Sequence, residues 1–156
     1  MTRAQWLAKH VDRTVRGPMW HGSALGEVLE GVTHEQAAAR PIAGAHSIWE
    51  IALHAAAWAE IARARLKGER TGDATTEEDW PPVMSTGADD WRRVVERIGG
   101  SHRELAAAVR GMTDDALEEK VPGLDYSIAV LVHGVIEHST YHGGQIALLR
   151  KAVGTA

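Results

Sequence analysis

Apolar residues recur at intervals of three and four along nearly the whole chain, and no stretch shows the strict alternation that a half-buried strand requires. That periodicity predicts an all-α fold. With 156 residues, 44% of them hydrophobic, the chain has material for one domain spanning residues 1–156 with an adequate core. It contains no Cys, which removes disulfides, thiolate zinc sites and cysteine nucleophiles, so any metal must be held by His, Asp or Glu. A net charge of −4 with interspersed signs offers no basic stripe for phosphate, and no nucleic-acid partner is expected. No apolar run approaches the roughly 20 residues of a membrane span, and MTRAQWLAKHVDRTVRG lacks an apolar signal region. The expected location is cytoplasmic, away from any membrane.

Four helical segments emerge. The first lies within about residues 2–31 and is broken at Gly17-Pro18, since proline lacks an amide donor and clashes with the preceding turn; a short second piece starts near Ser23. The second helix opens at Ser47, which forms an S-x-x-E capping box with Glu50, and runs to about Lys67 with the seam Ile51, His54, Trp58 and Ile61. Then comes GERTGDATTEEDWPPVMSTG, a long stretch read as loop. At up to roughly 3.3 Å per residue, about 19 linker residues can retrace a helix of about 31 Å, so the two helices it joins can run parallel. The third helix, about Asp89 to Arg110, carries the seam Trp91, Val95, Ile98, His102, Leu105, Val109 and Met112, with Gly99-Gly100 weakening its middle. The fourth, about Ser127 to Ala152, carries Ile128, Leu131, Val135, His138, His142, Gln145 and Leu149. Four amphipathic helices with one long crossover, between the second and third, make a four-helix bundle.

Nine histidines are the unusual element of the composition. His138 and His142 are one helical turn apart on the face that meets the core, the spacing at which a helix can chelate one ion. A single seam histidine reads as a neutral core residue bonded to a carbonyl. Two in succession followed by Gln145 read differently, because buried imidazole or amide groups without partners cost about 1–3 kcal/mol each and a shared metal provides the partner. His54, on the second helix's seam, is the natural third ligand. The segment HSTYH places Ser139 where a zincin would carry its glutamate, which excludes that protease class.

The stretches HSIWEIALHAAAW around His54 and HGVIEHSTYHGGQIALLRK around His142 resemble the DinB-like (YfiT-like) superfamily of metal-dependent bacterial proteins. The resemblance implies an up-down-down-up four-helix bundle, often a homodimer, that binds a divalent ion through one histidine of the second helix and an H-x-x-x-H pair of the fourth. By position these are His54, His138 and His142. Some relatives transfer low-molecular-weight thiols such as bacillithiol, or use mycothiol to isomerise maleylpyruvate. GPMWHGSAL looks like a signature of one branch.

Three imidazoles leave a coordination position open, as catalytic rather than structural zinc does, so water or a thiol can be activated without a protein nucleophile. Zinc or nickel are the leading ions, with iron or manganese after them. The expected function is a metal-dependent enzyme of hydrolase or thiol-transferase type acting on a small molecule; the alternative is a non-catalytic, stress-related metal-binding bundle, favoured by the lack of an evident general base. Catalytic candidates are Gln145, which can orient a ligand imidazole or the substrate, His21, which a loop either presents to the pocket or leaves exposed, and Glu50, which the capping box already explains. His102 is read as core, Tyr141 as amphipathic packing, and Trp80 of DWPP as a side chain able to cover a pocket; His46 receives no role. Ligand imidazoles must be deprotonated, so metal binding is expected to weaken as pH falls toward about 6.5.

Overall fold

A computed structural model of the protein describes residues 1–154; Thr155 and Ala156, the end of the expected domain, lie outside the described residues. Four long helices carry the fold: α1 (Arg3–Arg16), α4 (Ile48–Leu66), α6 (Ala88–Arg110) and α7 (Ile128–Ala152). Short helices α2 (Leu25–Leu29), α3 (His34–Ala38) and α5 (Thr76–Asp79), with a 3-10 turn at Ala116–Glu118, fill the connections. Among the described residues there is no strand, and no helix is long and apolar enough to cross a membrane.

Side-chain pairs set the helix directions. Trp49 meets Trp91 with ring centroids 5.1 Å apart, Glu60 pairs with Arg97 at 2.7 Å, and Arg63 pairs with Glu104 at 3.2 Å. Residue numbers rise together in these pairs, so α4 and α6 run parallel and the crossover is required. Between α4 and α7 the order reverses, with His54 against His142 and Trp58 against His138, so these helices are antiparallel. The start of α1 lies at the end of α6, where Asp114 accepts bonds from the Arg3 and Ala4 amides at 3.1 and 2.9 Å. The four long helices therefore run up-down-down-up.

Local chemistry explains the boundaries. Thr2, Thr33, Ser47 and Thr75 each accept a bond from the amide three residues on, while Gln5, Gln36, Glu50 and Glu78 reach back to complete capping boxes. α1 ends at Arg16, before Gly17-Pro18, and the next short helix begins at Leu25, close to its expected start. The crossover, expected to be loop throughout, contains α5; its Thr75-x-x-Glu78 box stabilises one turn there. The Gly99-Gly100 pair does not interrupt α6. Along that helix Val94 is buried and Val95 only half-buried.

Thirteen of the nineteen residues of α4 are buried, six of them alanine, because α4 is enclosed by α3, α5, α6 and α7. Small side chains let backbones approach closely around it. A polar tie fixes α7 against α6: the His102 Nδ1–H donates to the Ile98 carbonyl at 2.9 Å, leaving Nε2 to accept from the Ser139 hydroxyl at 2.9 Å. His102 is a core residue, as expected, with its hydroxyl partner next to His138. Burial pushes its imidazole down to about 4.

Two outcomes are expected. Ser139→Ala orphans a buried acceptor and should destabilise the chain by about 1–3 kcal/mol in urea unfolding. Since His102 titrates near 6.5 when unfolded but at about 4 when folded, the unfolded chain takes the proton first as pH falls. Its contribution, up to about 3 kcal/mol, is present above pH 6.5 and lost progressively between about 6.5 and 4. His102→Leu should flatten that part of the urea-stability profile.

Candidate metal centre

His54 projects from the middle of α4, where it is 5% exposed, and His138 and His142 project from adjacent turns of α7. Their Nε2 atoms converge: His138 lies 2.8 Å from His54 and 3.1 Å from His142. One ligand atom from each of the three histidines lies within 4.8 Å of the others. Zinc–imidazole bonds are about 2.0–2.1 Å long, so the three nitrogens are within reach of one ion.

The outer nitrogens decide the tautomers. The His54 Nδ1–H donates to the Asp79 carbonyl at 2.5 Å, and the His142 Nδ1–H donates to Gln145 Oε1 at 2.6 Å. Both imidazoles then present an Nε2 lone pair toward His138. One hydrogen on His138 Nε2 cannot serve both well, whereas a single cation satisfies every lone pair. Bonding the outer N–H to a carbonyl or amide is also what metal-ligating histidines do. The donor set thus fits a divalent ion. His138 departs from the pattern, its Nδ1 being buried with no partner among the described residues.

Burial pushes the imidazoles down, His138 to about 3 and His142 to about 4, and His54 is lowered by the same cause. His138 is further lowered by its two neighbouring imidazoles. All three are neutral at pH 7, the state a metal requires. Desolvation therefore favours deprotonated ligands at lower pH than free imidazole would allow, for His54 as for His138 and His142.

Asp79 ends α5 and is the residue that sequence reasoning missed. Its carbonyl orients His54 while its carboxylate accepts from Trp58 Nε1 at 2.7 Å. Trp80 follows and stacks on His54, centroids 3.9 Å apart and planes 5° apart; His46 stacks on its other face at 3.7 Å. The capping box Thr75–Glu78, directly before Asp79, was the available signal. Trp80 covers the histidine as expected, and His46, given no role, forms part of the wall. Tyr141 departs from simple packing: it is 64% exposed at the cavity and its hydroxyl accepts from Gln145 Nε2 at 2.9 Å.

The three histidines open into a cavity of about 560 Å³ walled by Ile42, His46, Trp80, Tyr141, Gln145 and Leu148 among others. Gln145 is therefore placed beside both ligand and cavity. Glu50 is not brought in; its carboxylate completes the Ser47 box and pairs with Arg40 at 2.5 Å. His21 is exposed and does not line the cavity.

This fold and site define a helical bundle with a buried three-histidine centre suited to a divalent metal. The chain belongs to the DinB superfamily, whose family model matches residues 20–146. Comparison with curated proteins and with solved structures finds no match.

Gln145→Ala should weaken zinc or nickel affinity by about 10–100-fold, the usual effect of losing a ligand's hydrogen-bond partner. Titration of the purified chain with a metal indicator checks it. In the unaltered protein, binding should persist through pH 6.5, because burial lowers all three imidazoles below their ordinary value, and should be lost at lower pH as they take up protons.

Proposed function

We propose that the protein is a metal-dependent enzyme that activates water or a low-molecular-weight thiol, with His54, His138 and His142 as ligands. Carrying this reading is the convergence of three neutral Nε2 atoms, their outer nitrogens already oriented, at the inner end of a cavity. A bound divalent ion, zinc or nickel foremost, supplies Lewis acidity and lowers the pKa of water or thiol toward neutrality. The chain's own groups do the rest. Asp79 and Gln145 hold the two ligand rings, and Trp80 excludes water from the His54 face. The Tyr141 oxygen accepts from Gln145, which leaves the phenolic hydrogen to donate to a substrate oxygen or sulfur at the rim. His46 stacks on the outer face of Trp80 and holds that indole against the His54 ring.

Supporting this reading is membership of the DinB superfamily, with the resemblance to thiol-using relatives. A homodimer acting on a small molecule belongs to the same reading, on that resemblance alone. The cavity wall carries no carboxylate among the described residues, which favours the second reading, a stress-related bundle that holds metal without catalysis.

Replacing His54, His138 or His142 by Ala should each abolish stoichiometric metal in mass spectrometry, while circular dichroism stays helical. Full metal content in any one variant rejects the ligand set. Zinc- or nickel-loaded protein should turn over a small thiol with an electrophile, or hydrolyse a small ester or amide, where metal-free protein does not. Equal rates with and without metal reject the enzyme reading, and inactivity across a broad panel leaves the non-catalytic bundle.

A further inference from the structure

Arg65 is a buried cation without an anion. It is 2% exposed at the end of α4, yet no carboxylate pairs with it among the described residues. Its guanidinium donates to the Tyr126 hydroxyl at 3.0 Å and to the Gly72 carbonyl at 2.8 Å, lies 5.6 Å from the centre of the Trp58 ring, and leaves a buried Nε unpartnered. Burying a charge on neutral acceptors alone is unfavourable, and such a group ordinarily has a counter-charge nearby.

Two residues touching Arg65, Trp58 and Tyr126, also line an apolar groove of about 270 Å³ completed by Val130, Leu131, Gly134, Val135 and His138. None of the lining residues is Asp, Glu, Lys or Arg. Tyr126 is its polar end. Because the phenolic oxygen accepts from Arg65, its hydrogen is free to donate, and the cation behind it strengthens that donor toward an anion.

Gly134 supplies an independent observation. It lies inside the 25-residue helix α7, where glycine is the least favoured residue after proline. A Cβ built on it meets nothing within 4 Å, so no close helix approach accounts for it. What the missing side chain leaves is open space in the groove wall.

We propose that this groove is a second binding site, distinct from the three-histidine cavity, for a small apolar monocarboxylate. Its hydrocarbon lies against Trp58, Leu131 and Val135, and its carboxylate accepts from the Tyr126 hydroxyl in the field of Arg65. The charge of Arg65 is then compensated only in the complex. His138 lines both this groove and the metal cavity, so the occupant lies beside a residue of the three-histidine set.

The test is calorimetric titration of the full chain with octanoate, 3-phenylpropionate and octylammonium. At least one carboxylate should bind with one site per chain, and the ammonium should not. Gly134→Leu adds a side chain at the groove wall, where a Cβ meets nothing within 4 Å, and should abolish the binding while helicity and melting are kept. Tyr126→Phe keeps the apolar walls and should weaken it about tenfold, the effect of losing a charge-assisted hydrogen bond. Three results overturn the proposal: neither carboxylate binding at millimolar concentration, carboxylate and ammonium binding equally, or Gly134→Leu binding as the unaltered chain does. Sedimentation of the unaltered chain and of Gly134→Leu separates a second copy of the chain as occupant: equal masses are expected, and a smaller mass for the variant assigns the groove to that copy and overturns the proposal as well. None of these readouts needs metal or turnover, so they stand or fall apart from the enzyme reading.

Discussion

Three imidazole nitrogens facing one another across the contact of α4 with α7 are the constraint around which this molecule is arranged. A helix seam ordinarily holds aliphatic side chains that need no partners. Here polar rings occupy it, and two of the three outer nitrogens find a partner, one on α5 and one a turn further along α7. Asp79 serves His54 and Gln145 serves His142. The first of these bonds explains the crossover: α5 is fastened to the bundle because its last carbonyl is the acceptor His54 requires, and Trp80 then comes to lie flat on the ring.

Around that contact, the arrangement of the long helices follows from what α4 must touch. It runs parallel to α6, antiparallel to α7, and is buried on most of its surface. A helix so enclosed cannot be strongly amphipathic, and its runs of alanine reflect this. Paired charges appear where it nears the surface, at Glu50, Glu60 and Arg63. Such pairs, more than a third exposed on one side or both, orient the helices without adding much stability.

His138 stands between two different environments. On one side its Nε2 meets the other two histidines; on the other, its ring helps to wall an apolar groove that ends at Tyr126 and Arg65. Trp58 is likewise shared, holding Asp79 through its indole N–H while its face lies beneath the guanidinium. The metal centre and the groove therefore meet at two side chains rather than through a distant path.

Much of the fold was legible in the amino-acid order because it rests on local chemistry. The three- and four-residue spacing, the Ser47–Glu50 box and the break at Gly17-Pro18 act within a few residues, and all are visible without coordinates. The pair His138 and His142 is equally local, since helical geometry alone puts them one turn apart. His54 was found because it shares the seam of a second helix. Less accessible were the groups that come from elsewhere in the chain. Asp79 lies 25 residues beyond His54 and acts through a backbone carbonyl, an atom every residue has, so its identity carried no signal. His46 and Trp80 stack only because the crossover folds back over α4, and Arg65 shows as an unpaired cation only once burial has removed water from it. Periodicity and capping determined which segments became helices and which faces turned inward. Tertiary packing alone decided which polar atoms met, because hydrogen bonds and desolvation depend on distances that sequence separation does not set.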